Sequence, residues 1–260
     1  MRLLPASQRS SGRRRRERQR FRVRRTARVR DLLGPDNVGI RQSLVALGFS
    51  SLTAVVAGGL LAAMTGTLER YPGLLVLVPA AIGMRGNIFG ALGSRLATSI
   101  HAGTFRMSRR PETLVMQNVF ASGVLSLVTA ASLAVLTKIL SPIFGLDSVV
   151  AISDLLVLSA VGALLSFVVL MGVTLALAAR SAQRGWDLDD VNAPLVSAVG
   201  DVVTLPALLV ASLLLEIDVL TNILAIALLM AAAWSLWWGR RTVLTLMRQV
   251  LIESLPILLA

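Results

Sequence analysis

Six apolar runs, each long enough to cross a bilayer, dominate this chain: residues 44–66, 73–100, 116–136, 153–179, 193–215 and 220–238. About 20 apolar residues wound as a helix match the hydrocarbon thickness. A backbone in lipid must satisfy its own hydrogen bonds, which leaves only helices or a closed barrel. Continuous runs are unlike the short alternating segments of a barrel. The sequence therefore predicts an all-α fold, a polytopic transmembrane helix bundle of about six spans. The 55% hydrophobic content and mean hydropathy of +0.75 over 260 residues agree with an integral membrane protein.

Charge is distributed very unevenly. Residues 1–41 carry 14 arginines against Glu17, Asp31 and Asp36, whereas the remainder is nearly neutral. Such a segment, with little apolar content, is expected to be a disordered basic arm on the cytoplasmic side, moored to anionic lipid headgroups. With Phe21 as its one aromatic, it offers little to nucleic acid, and no such partner is expected. The absence of cysteine excludes disulfides and thiolate metal sites, and a lone His101 argues against zinc chemistry. Clustered His, Ser/His/Asp or paired acidic residues in a pocket are likewise missing, so the chain does not read as an enzyme.

The connecting charges set the orientation. Arg106, Arg109 and Arg110 follow the second run, Arg180 and Arg184 the fourth, and Arg240, Arg241 and Arg248 the sixth. The alternate connections hold only Arg70, then Lys138, then Glu216 and Asp218 without a basic residue. The positive-inside bias then puts both termini in the cytoplasm of a multi-pass cell-membrane protein. Trp234, Trp237 and Trp238 read as an aromatic belt at the inner interface. Residues 42–239 form the transmembrane domain. Residues 240–260 read either as a cytoplasmic or interfacial segment or as the start of a second repeat.

Two segments carry polar groups at membrane depth. The first lies in run 73–100, where Ala80, Gly83, Asn87, Ala91, Ser94 and Thr98 share one helical face. This face reads either as a close packing seam or, given its glycines, as a locally broken helix with exposed carbonyls. Arg95 is near enough to the inner interface to snorkel, but Arg85 is deeper. The second segment runs from Asp187, Asp189 and Asp190 through Pro194, at an expected first helical turn, to Ser197, Asp201 and Thr204. Asp201 is the acidic residue deep inside an apolar run. A carboxylate there costs about 2.5–3.5 kcal/mol on insertion scales, so it normally faces a cavity or a partner. If the partner is Arg85, the site is a buried ion pair; if it is water, the stripe is the wall of a cation path. The three mouth acids also fit a solvated helix N-terminus. Oxygen-only ligands suit hard cations, and Mg2+, which sheds water reluctantly, fits one or two carboxylates around a hydrated ion.

At these segments the chain resembles the MgtE-type divalent-cation transporter superfamily, nearer its animal solute-carrier branch. The resemblance rests on Pro79, Gly83, Arg85-Gly86-Asn87 and Ser94 to Thr98, and equally on Asp187, Asp189, Pro194, Gly200-Asp201 and Thr204. It implies a five-helix transport unit plus an extra C-terminal helix, with hydrated Mg2+ as the transported ion between the second and fifth helices. By that resemblance Asn87 and Asp201 are the pore ligands. Gly83, Ser94, Ser197 and Thr204 complete the candidate path, and Asp187, Asp189 and Asp190 gather ions at its inner mouth. No segment of these 260 residues is expected to form the cytoplasmic sensing domain of the bacterial branch, and Arg85 stands where that branch has glycine. One unit per chain predicts a homodimer. The alternatives are a Na+- or proton-coupled exchanger, or a half-subunit that is inert until it pairs with a second chain.

Overall fold

The computed structural model describes the backbone of residues 37–146, 150–185 and 188–259. Eight α-helices occupy this stretch: α1 (Asn37–Ala63), α2 (Thr65–Arg70), α3 (Leu74–His101), α4 (Leu114–Leu140), α5 (Ile152–Arg184), α6 (Leu188–Ser212), α7 (Asp218–Arg241) and α8 (Thr245–Leu259). The chain divides into two units, Met1–Val45 and Ala46–Ala260, and everything below concerns the second. Most of the basic arm lies outside the described residues.

Five helical segments are long and apolar enough to cross a membrane: Leu74–His101, Leu114–Phe144, Ile152–Arg184, Pro194–Glu216 and Asp218–Arg241. The sixth expected span is represented by the shorter apolar stretch Leu47–Ala63. Short 3-10 turns, Ser141–Phe144 and Leu213–Glu216, extend α4 and α6 to full membrane length. Helix ends follow local chemistry. Gly103 (φ 67°) follows α3 and Gly185 (φ 66°) ends α5, each in the left-handed conformation that glycine adopts without strain.

Helices α3 to α6 make the core. Helix α3 packs on α4, α5 and α6, α5 packs on α4 and α6, and α7 flanks α4 and α5. Because α3, α4, α5 and α6 follow one another as up-and-down neighbours, α3 and α6 run antiparallel. One half of the core is built from Leu74, Leu77, Leu155, Leu158, Leu205 and Leu208. The other contains Phe89, Leu92, Leu96, Leu125 and Leu170, with the Phe89 and Phe167 rings 5.8 Å apart. In lipid these contacts gain through dispersion and close fit, since hydrocarbon outside is as apolar as leucine. Ala57 of α1 and Met64, between α1 and α2, join the core, while Leu47, Leu52 and Val55 of α1 are exposed.

Helix α8 turns back along the bundle. Its Met247, Val250, Leu251 and Leu255, at helical spacing on one face, are buried against α4 and its neighbours. The first turn of α8 is held from outside: Gln117 Oε1 on α4 accepts the backbone N–H of Leu246 at 3.1 Å and of Met247 at 3.3 Å. These are two of the orphan donors every helix start leaves. Trp234, Trp237 and Trp238 near the end of α7 are exposed, with the Arg241 guanidinium 4.7 Å from the Trp237 ring centre.

Candidate functional site

The glycine-rich segment is an unbroken helix. Helix α3 runs 28 residues with Pro79 inside it, so the broken-helix reading does not describe it. Its small and polar residues face away from the core: Gly83, Asn87, Ala91, Ser94 and Thr98 are all exposed. A β-carbon built at Gly83, Gly86 or Gly90 meets nothing within 4 Å. The close-packing seam, the other reading of this face, is therefore not formed among the described residues.

On α6, Ser197 is exposed and Asp201 half-buried, while Thr204 is fully buried with its Oγ1 unpaired. Pro194 sits at the seventh position of α6, not in its first turn, because the helix begins at Leu188. Lacking an N–H, it leaves the residue 190 carbonyl without the usual donor near the helix mouth. Asp187 lies outside the described residues, as do the side chains of Asp189 and Asp190. Among the described residues, no three His, Cys, Asp or Glu side chains gather as a metal cage.

The relation of α6 to α3 is fixed by a residue that sequence reasoning passed over. Asn192, 2% exposed, is inserted against Gly93 so closely that its side chain occupies the space of any β-carbon there. Its Nδ2 donates to the Phe89 carbonyl at 3.5 Å, while Oδ1 is buried without a partner. The signal available was an amide at the start of an apolar run and a glycine on the helix predicted beside it. Counting from this anchor at about 1.5 Å per residue along antiparallel helices, Ser197 comes roughly level with Asn87. Asp201 comes roughly level with Gly83.

Arg85 is on the other side of α3. It is 5% exposed, its Nη1 has no hydrogen-bond partner, and no ion pair joins it to Asp201. Two residues along a helix are about 200° apart in azimuth, so Asn87 faces out where Arg85 faces in. The ion-pair alternative for Asp201 is thereby removed. Arg95, further along α3, donates from Nε to Asn118 Oδ1 on α4 at 2.7 Å. The open face thus combines one carboxylate, two amide or hydroxyl side chains on α3 (Asn87 and Ser94) and the Ser197 hydroxyl. That donor set can hold a hydrated hard cation through its water shell.

Comparison with known proteins points the same way. The family model for MgtE, described as a divalent cation transporter, matches residues 78–211, just over half of the chain and all of α3 to α6 apart from their outer turns. Solute carrier family 41 member 2 of Xenopus laevis and of Homo sapiens are each 29% identical over 140 residues. The mouse protein of the same name is 27% identical over 140 residues. In each case the match covers 52% of this chain and 24% of the relative, so the chain spans only about a quarter of those proteins. No solved structure matches it.

Proposed function

Because the chain belongs to the MgtE family of divalent cation transporters, we propose that it moves hydrated divalent cations, Mg2+ by preference, along the face shared by α3 and α6. The observation that carries this reading is the exposure of Asn87, Ser94 and Ser197, with the half-buried Asp201 one helical turn from Ser197 on α6. In a lone protomer these groups would meet hydrocarbon, where an ionised carboxylate is strongly disfavoured. A second surface must cover them and keep water between. The small residues Gly83, Gly86, Gly90 and Ala91 leave room for that partner to come close.

A second copy of the chain is the partner that meets the requirement with the same residues, giving a pore about a twofold axis with two Asp201 carboxylates. Asp201 supplies the charge, Asn87 and Ser94 orient the water shell, and Ser197 continues the polar wall. Thr204, two turns along α6 from Ser197, is fully buried with its hydroxyl unpaired, behind the exposed part of the stripe. Asp187, Asp189 and Asp190 raise the local cation concentration at the mouth. Selection for Mg2+ follows from fit to a hydrated ion, since oxygen donors alone distinguish hard from soft metals better than Mg2+ from its hard neighbours. The basic arm and both termini are cytoplasmic, with the arm on anionic lipid.

Growth rescue tests the reading. Cells lacking Mg2+ uptake should grow on low Mg2+ when given the intact chain and fail with Asp201→Asn at equal membrane abundance. Equal rescue by both chains contradicts the assigned role of Asp201. Rescue only when a second family member is co-expressed transfers the pore to a heteromeric pair.

A further inference from the structure

A deeply buried arginine with no acidic partner among the described residues requires an explanation that cation transport does not supply. Arg85 lines a small cavity between α3, α4 and α5, whose other polar walls are Ser126, Thr129 and Ser159. The cavity is about 10 Å³, room for one small occupant. Two of the three hydroxyl protons are already committed: Thr129 donates to the Leu125 carbonyl and Ser159 to the Ala130 carbonyl, each at 2.7 Å. Ser126 Oγ and Arg85 Nη1 are buried and unpaired. The wall therefore presents two free donors and a full positive charge, and no carboxylate among the described residues answers them.

We propose that Arg85 and Ser126 form an internal binding site for one small monovalent anion, with chloride as the cellular occupant. A neutral water accepts two hydrogen bonds but leaves the guanidinium charge uncompensated in a low-dielectric interior, which is the costly part of burying it. A halide satisfies both donors and cancels the charge. Sulfate and phosphate are too large for a single-occupant cavity. Further buried polar side chains lie along the same face of α4. Asn118, Ser122 and Ser126 stand four residues apart on one face of α4, and Ser122 Oγ is likewise buried and unpaired. At the near end Arg95 binds Asn118 and keeps its own Nη2 unpaired. Asn118 Nδ2 is committed to the Leu114 carbonyl, so the free donors here are Ser122 Oγ and Arg95 Nη2, on the side of α3 away from the proposed cation path. The bound anion would also remove a cation-repelling charge from the helix that carries Asn87.

Equilibrium binding of radiolabelled chloride to the purified full-length chain, in gluconate buffer at constant ionic strength, tests the site directly and independently of transport. The expected result is saturable binding of about one chloride per chain, displaced by bromide but not by sulfate. Arg85→Met should abolish it, and Ser126→Ala should weaken it about tenfold, as for loss of one hydrogen bond to a charged group. Circular dichroism and gel filtration establish that each variant is folded. If Arg85→Met does not fold, Ser126→Ala carries the decision. No saturable chloride on the intact chain overturns the proposal, as does unchanged affinity in either folded variant.

Discussion

Asn192 on α6 fills the notch that Gly93 leaves in α3, its side chain lying where a β-carbon at position 93 would be. The pair fixes both the distance and the register of the two helices that carry the candidate cation path. An alanine at position 93 has no room unless α6 moves away or Asn192 changes rotamer, and overpacking of this kind costs about 1–3 kcal/mol. Gly93→Ala should therefore lower the thermal unfolding midpoint of the detergent-purified chain. Asn192→Ala should recover much of that loss when combined with it. Additive effects in the double variant would show that the two positions do not share this contact.

The open face of α3 predicts where a second copy sits. The chain contains no cysteine, so a single introduced thiol reports its neighbours without interference. Ala91→Cys, on the exposed stripe, should form a disulfide-linked dimer under mild oxidation in native membranes. Leu229→Cys, equally exposed but on α7, should not. Non-reducing electrophoresis reads both. Cross-linking at 229 and none at 91 would put the interface elsewhere.

The spans were legible in the sequence because bilayer thickness sets their length. Run 73–100 became Leu74–His101, and run 220–238 lies within Asp218–Arg241. The depth of Asp201 was legible for the same reason. What an apolar helix does not reveal is which side it turns inward, since lipid and core accept the same side chains and amphipathicity fades. For that reason the sequence alone leaves Arg85 open as a partner for Asp201, whereas in the structure Arg85 is buried on the side of α3 opposite the exposed Asn87. Asn192 was hidden for a related reason: its insertion depends on a glycine about a hundred residues away, and no local pattern reports such a contact. Pro194 misled about the start of α6 because proline favours a first helical turn, whereas the acidic residues before it continue the helix by another turn and a half.

The docking of α8 depends on one amide. Gln117→Ala removes the acceptor for the N–H groups of Leu246 and Met247, a loss comparable to removing a helix N-cap, about 1 kcal/mol. Hydrogen exchange should speed up across residues 245–256 by roughly fivefold, by that same energy, while α4 and α5 keep their protection. Unchanged exchange in α8 would mean that Met247 and Leu251, both almost fully buried, hold it without the cap.

Gly162 on α5 admits both Leu208 and Arg85. A β-carbon there would lie 2.7 Å from Leu208 Cδ2 and 3.6 Å from Arg85 Nη2. The nearer atom is the end of a flexible side chain, so Gly162→Ala should be tolerated at a cost of about 1 kcal/mol. Gly162→Leu should fail to give monodisperse protein on gel filtration. A well-behaved leucine variant would show that α5 and α6 are free to separate.

The central claim is that the Asp201 carboxylate meets a hydrated cation across an open helical face. Its most direct test is Mg2+ influx into proteoliposomes that contain only this chain, measured with an entrapped Mg2+-sensitive dye. The intact chain should conduct, Asp201→Glu should keep part of the flux by preserving the charge, and Asp201→Asn should reduce it to the level of empty liposomes. Influx through Asp201→Asn equal to that of the intact chain would contradict the account.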